Sequence, residues 1–228
     1  MSSIFHHRWK LFLLFSFSVL LFGVCVLALE TDFHRMRTVA QDRFGDKGFK
    51  AIERWQSFLN KSANETLLVR LARVNDYVNL QTQYVEDSVL WGERDYWATP
   101  LETLAGGAGD CEDFALTKYL TLRALGIPAP QMRLTYVRAK LPNVLPVTTR
   151  AHMVVSYYPE DSREPLILDS LIAEILPASQ RPDLKPVFSF NSEALWVPGR
   201  PDLVSDPTAR LSNWRDVVER MRKEGTIW

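Results

Sequence analysis

The chain has 228 residues, 46% of them hydrophobic and 24% charged, and Lys plus Arg equals Asp plus Glu at 27 each. This composition suits an ordinary globular domain with a full core and argues against a disordered chain. With no basic excess and no block of like charge, neither a nucleic-acid partner nor a charged interaction tail is expected.

Residues 1–29 stand apart from the rest. Arg8 and Lys10 precede an uncharged apolar run from Leu11 to Leu29, the layout of an export signal. Val26-Leu27-Ala28 offers small residues to a signal peptidase, while Cys25 follows the bulky Val24 and makes a poor lipoprotein cysteine. The run is nearly long enough to span a bilayer. A cleaved signal is the preferred reading and an N-terminal membrane anchor, residues 11–29, the alternative. Both put residues 30–228, read as one domain, outside the cytoplasm.

Beyond the leader, helices are expected over 32–44 and 48–60, with Phe49, Ile52, Trp55 and Leu59 at helical spacing. A third covers 64–80, with Leu67, Leu68, Leu71, Val74 and Val78 on one face. Residues 82–100 read as irregular and aromatic, and Gly106, Gly107 and Gly109 as a flexible approach to Asp110. A helix from Cys111 to Leu125 follows. Asp110 is a good N-cap and Asp113 completes a capping box, while Gly126 and Pro128 end the helix. Ala115, Leu116, Tyr119, Leu120 and Leu122 give it a broad apolar face, so it should be central and buried. Short alternating runs at 131–139, 151–158, 165–170, 187–190 and 194–198 read as strands. An amphipathic helix over 212–224 points Trp214, Val217, Val218 and Met221 inward. Helices first and strands after give an α+β fold with an antiparallel sheet.

Outside the leader Cys111 is the sole cysteine, and His34 and His152 are the sole histidines. An exported chain with one cysteine forms no internal disulfide, so Cys111 is either a buried small hydrophobe or a reactive thiol. Its place at the start of a helix lowers a thiol pKa and suits a nucleophile. His152 shares a strand face with Val154 and Ser156. A hairpin with its loop at 158–163 pairs Tyr157 with Glu164 and sets His152 opposite Asp169, where the carboxylate can fix the imidazole tautomer. A strand histidine and a strand-end aspartate are each common without chemistry; the combination with Cys111 is not. Asp110, Glu112 and Asp113 are explained by capping and the helix dipole. Acids beside a thiol oppose its ionisation, however, and such oxygen ligands also suit calcium.

Gly109-Asp110-Cys111-Glu112-Asp113-Phe114-Ala115, preceded by Asp95-Tyr96-Trp97-Ala98-Thr99-Pro100, resembles the LapG-like bacterial transglutaminase-like cysteine proteases. Val74-Asn75-Asp76-Tyr77-Val78-Asn79, Ala151-His152-Met153-Val154 and Leu168-Asp169-Ser170 fit in the same order. The resemblance implies a papain-like, transglutaminase-like fold with the nucleophile helix packed on an antiparallel sheet. It implies a periplasmic, calcium-dependent endopeptidase that clips the N-terminal region of a large surface adhesin after a di-alanine motif and so disperses a biofilm. An inner-membrane cyclic-di-GMP receptor resembling LapD is the implied regulator. The family's nucleophile, base and orienting acid fall on Cys111, His152 and Asp169, and its calcium acids on Asp110 and Glu112, with Asp113 beside them. Two other readings use the same residues: a transglutaminase-type acyltransferase, and a binding module that kept the fold without the chemistry.

Overall fold

The computed structural model describes residues 30–140 and 148–227, so the expected leader lies outside the described residues. Strand β1 (Glu30–Thr31) leads into helix α1 (Phe33–Ser62), capped by Asp32, whose carboxylate accepts the Arg35 N–H at 3.0 Å. The two helices expected over 32–44 and 48–60 are two arms of α1. The helix breaks at Gly45 (φ 63°, ψ −156°), a backbone shape that glycine tolerates and side-chain-bearing residues avoid. In helix α2 (Leu67–Gln81), Leu71, Val74 and Val78 are buried, but Leu68 is 66% exposed. It lies about 90° around the helix from the buried stripe, so only part of the expected face is inward.

The stretch expected to be irregular carries strand β2 (Gln83–Tyr84) and the single-turn helix α3 (Asp87–Leu90). Helix α4 (Pro100–Gly106) then opens with a capping box between Thr99 and Glu102. The glycines after it are not a flexible approach. Gly107 closes α4 in the left-handed region (φ 73°), and strand β3 (Ala108–Gly109) pairs in parallel with β2. Helix α5 (Cys111–Ala124) follows at once, with the expected capping box, and every residue from Cys111 to Leu122 is buried.

Seven strands come next: β4 (Met132–Lys140), β5 (Thr149–Tyr157), β6 (Leu166–Leu168), β7 (Leu176–Pro177), β8 (Leu184–Phe190), β9 (Ala194–Val197) and β10 (Arg200–Ser205). The short helix α6 (Pro207–Arg210), helix α7 (Ser212–Glu224) and strand β11 (Thr226–Ile227) complete the described chain. Among the described residues β4–β10 form one antiparallel sheet in the order β10-β9-β8-β4-β5-β6-β7. The sequence gives no warning of β7 or β10, because proline interrupts both and neither alternates. One face of the sheet, through Met132, Leu134, Met153, Val155 and Phe190, joins a core with α5 and the other helices. The opposite face carries a smaller cluster of Val137, Ala139, Val154 and Ile167. Trp214 of α7 packs edge-on against Phe190 and Tyr119, as its inward position in the pattern requires.

The β5–β6 register differs from the expected one by two residues. Tyr157 pairs with Leu166 and Val155 with Leu168. The loop between the paired residues runs over 158–165, two residues longer than the expected 158–163, and Pro165 turns its carbonyl to the Ala178 N–H on the β7 side at 3.0 Å. Extended by one pair, this register sets Asp169 opposite Val154 and makes His152 its diagonal neighbour. A slip of two leaves each side chain on its own face, so the expected side survives although the direct pairing does not.

Candidate active site

The site begins with the loop that delivers Cys111 to α5. Asp113 Oδ1 accepts the Ala98 N–H at 2.7 Å and Oδ2 the Asp110 N–H at 3.2 Å, tying the Asp95–Pro100 segment to the helix start. Asp110 Oδ1 in turn accepts the Glu112 N–H at 3.2 Å. Gly109 is required here. A Cβ on it would stand 2.6 Å from Asp113 Oδ2 and 2.7 Å from Asp113 Cβ, distances no real side chain shows.

Cys111 is 5% exposed. Its thiol donates to Glu112 Oε2 at 2.7 Å and receives the N–H of Met153, the residue next to His152. β6 pairs with β5 only over Val155–Tyr157, so it leaves β5 uncovered at His152 and Met153, and there the helix start meets the strand. His152 Nε2 lies 2.6 Å from Asp169 Oδ1, with both residues almost fully buried. Asp169 Oδ1 also accepts the Leu171 N–H at 3.0 Å, Oδ2 accepts Arg181 Nη2 at 2.6 Å, and the Asp169 carbonyl accepts Asn79 Nδ2 at 3.0 Å. Because Nε2 faces the aspartate, Nδ1 is the nitrogen left for the thiol side. Among the described residues Cys111 makes no hydrogen bond to His152. The other candidate base, His34, is exposed on α1 and meets none of these groups.

The electrostatics divide the site in two. Burial, then the adjacent Glu112 carboxylate, push the Cys111 thiol far above its ordinary range. Burial and Glu112 raise Asp110 to about 7, and burial with Asp110 raises Asp113. Around Asp169 the balance reverses. Burial alone would raise it, but the hydrogen bond and charge of His152, the Leu171 N–H and Arg181 hold it well below the usual carboxylate range.

Two overlapping donor groups surround the helix start: Asp110, Cys111 and Glu112, and Asp87, Asp110 and Asp113, with the donor atoms of each group within 4.8 Å of one another. The hard oxygens suit a divalent cation. Asp87 supplies a further sign of fit. Its Oδ2 accepts the Tyr96 N–H at 2.7 Å, but its buried Oδ1 has no hydrogen-bond partner. Burial raises Asp87 to about 6, and Asp110 adds to the shift.

Residues 50–182 match the family of bacterial transglutaminase-like cysteine proteinases. The chain belongs to that family. Solved structures of LapG from Legionella pneumophila share its fold. An EGTA-treated form is 39% identical with a TM-score of 0.71, covering 85% of this chain and 99% of that one. A calcium-bound form is 39% identical with a TM-score of 0.67, covering 83% and 98%. Comparison with curated proteins gives no match.

In this cysteine proteinase a cleft of about 350 Å³ opens beside Cys111, walled by Tyr84, Arg94, Asp95, Tyr136 and Arg150 among others. Arg150 of β5 donates to the Tyr84 hydroxyl of β2, with its guanidinium 5.3 Å from the Tyr84 ring centre, so sheet and helical half meet across the cleft. Sequence reasoning missed Asp87 and Arg181. Asp87 reaches the site because Val85 N–H bonds the Gly109 carbonyl at 2.9 Å beside the β2–β3 pair. Arg181 returns to Asp169 through the β6–β7 hairpin. Neither contact has a local pattern.

Proposed function

We propose that this proteinase is a periplasmic, calcium-dependent endopeptidase that cleaves the N-terminal region of a large surface adhesin at a di-alanine site, releasing the adhesin and promoting biofilm dispersal. The observation that carries the reading is the buried His152–Asp169 pair beside a helix-start thiol, with Nδ1 of His152 left for the thiol. In this mechanism Cys111 attacks the scissile carbonyl, His152 takes the thiol proton and gives it to the leaving amine, and Asp169 fixes the imidazole tautomer. Water then hydrolyses the thioester with His152 as base. The Cys111 N–H, at the first turn of α5, lies outside the helical ladder and is the candidate oxyanion donor.

Asp110, Glu112 and Asp113, together with Asp87, are the residues that would hold calcium. Bound there, the ion supplies positive charge that offsets the carboxylates around the thiol. The buried, unpartnered Asp87 Oδ1 and the calcium-bound LapG structure both support this assignment. An inner-membrane cyclic-di-GMP receptor resembling LapD is the proposed regulator. Residues 11–29 are proposed to direct export, as a cleaved signal or an anchor.

Incubation with an N-terminal adhesin fragment, followed by mass spectrometry of the products, tests the reading. Two fragments parted at the di-alanine, with no product from Cys111→Ala or His152→Ala, are expected. Cleavage by Cys111→Ala overturns it, and isopeptide cross-links without fragments assign the acyltransferase reading instead.

A further inference from the structure

Arg181 is an unusual residue to find beneath a catalytic pair. Its side chain is 3% exposed, and a buried guanidinium is costly unless its hydrogen bonds are met. It caps the 3-10 turn Ala178–Gln180 that follows β7, and the β6–β7 hairpin brings it back beside Asp169. Nη2 donates to Asp169 Oδ2 at 2.6 Å and to Asp183 Oδ2 at 2.8 Å, and Nε donates to Asp183 Oδ1 at 3.0 Å. Asp183 therefore holds Nε and Nη2, and the same Nη2 meets the carboxylate that faces His152, while Nη1 is buried without a hydrogen-bond partner. The Asp169 oxygens are divided between the two neighbours: Oδ1 toward His152 and Leu171, Oδ2 toward Arg181. An apolar side chain would fill the same volume without the cost of burying charge.

We propose that Arg181 is a positioning residue of the proteinase: it locks the Asp169 carboxylate in the orientation that faces His152 and limits how much of its negative charge reaches the imidazole. The proposal rests on the assignment of Cys111, His152 and Asp169 made above and adds a fourth residue that acts through the third. A charge-assisted hydrogen bond to one carboxylate oxygen withdraws density from the other. With Arg181 removed, Asp169 acts on His152 at full strength and the imidazolium is held too firmly to give up its proton. With Asp183 neutralised, Arg181 serves Asp169 alone and the effect has the opposite sign. The other ionisable groups around the pair and the thiol are left unsubstituted in both variants: Lys118 of α5 with Asp76 of α2, Cys111 and Glu112 at the start of α5, Tyr136 of β4, and Arg150 of β5 with Tyr84 of β2.

The test uses the mature chain in calcium, where His34 and His152 are the only two histidines of residues 30–228. NMR titration of both is combined with steady-state kinetics on a di-alanine peptide, with rates expressed per titratable Cys111 thiol. In Arg181→Met the His152 midpoint should rise by about half a unit or more while exposed His34 stays put. In that variant kcat should fall about 10–100-fold with KM within about twofold, the pattern of a lost transition-state interaction. Arg181→Lys keeps the charge without the fork, so it should return the midpoint toward wild type and recover part of kcat. Asp183→Asn should lower the midpoint. A midpoint and a per-thiol kcat unchanged in Arg181→Met, even with a lowered Tm, would make Arg181 a packing residue and overturn the proposal. Should Arg181→Met fail to fold, an Asp183→Asn midpoint that does not move down overturns it equally. If the wild-type chain cleaves nothing, the function above fails, while the His152 titration still decides the role of Arg181.

Discussion

At Cys111 two neighbours pull in opposite directions. The Met153 N–H donates to the sulfur and favours the thiolate, whereas the Glu112 carboxylate accepts the thiol hydrogen at 2.7 Å and favours the thiol. Glu112→Gln should therefore split by condition. In EGTA its Cys111 should react with iodoacetamide at lower pH than the wild-type residue, because a repelling charge is gone. In calcium the acceleration expected of a bound ion should be lost, because a proposed ligand is gone. Equal rates in both variants under both conditions would remove Glu112 from the thiol's control. Lys118 poses a different problem at the same scale. It is 1% exposed on α5, and burial lowers it from 10.5 to about 7 against the opposing pull of Asp169 and Asp76. Between those values the unfolded chain binds the proton and the folded chain does not, so stability rises with pH from about 7 to about 10. Below about 7 the penalty is present in full. Lys118→Met should thus raise Tm by several degrees at pH 6, on the order of 2–4 kcal/mol, and by little near pH 10. A pH-independent difference in thermal melts would contradict this.

The elements show which parts of the site are written locally. The start of α5 was legible because the cap at Asp110, the acid at Asp113 and the apolar periodicity after Cys111 all sit within one helix. The side shared by His152 and Asp169 was legible because strand alternation has a period of two, but the register was not, since it depends on the length of the loop over 158–165, which no pattern marks. Asp87 and Arg181 were not legible at all. Asp87 opens the single-turn α3, too short to leave a periodic pattern, and Arg181 follows a 3-10 turn; backbone pairing carries each to the site, Asp87 by β2 on β3 and Arg181 by β6 on β7. Gly109 belongs to this scale too. Read as a source of flexibility, it is instead held in β3 with Asp113 packed against its Cα. Gly109→Ala should displace Asp113, break the capping box and cost about 1–3 kcal/mol in urea unfolding, with a larger loss of cleavage. An alanine variant of wild-type stability and activity would show that the loop has room to spare.

Across the whole molecule the two ends of the described chain brace the site from behind. β1 pairs with β11, and the Asp32 N–H bonds the Gly225 carbonyl at 2.7 Å. Arg220 of α7 reaches both Glu102 Oε2 and the Trp97 carbonyl at 2.6 Å, and the next residue, Ala98, holds Asp113. Nothing in the α7 pattern beyond its apolar face announces that link, because it depends on where α4 and the Asp95–Pro100 segment come to rest. Arg220→Ala leaves the buried Glu102 with Arg43 as its remaining ion-pair partner. The variant should lose about 2–4 kcal/mol in chemical denaturation. Calcium acts at this scale as well: an ion bound by the folded chain alone should raise Tm with its concentration, and an unchanged Tm in calcium and EGTA would speak against the site. The most direct measurement is the pH dependence of Cys111 alkylation in calcium, for the wild-type chain and His152→Ala. A wild-type thiol that already reacts as a thiolate near pH 7 is expected, and a His152→Ala thiol that reacts only at distinctly higher pH. A wild-type Cys111 that stays inert until strongly alkaline pH, or that reacts identically with and without His152, would contradict this expectation.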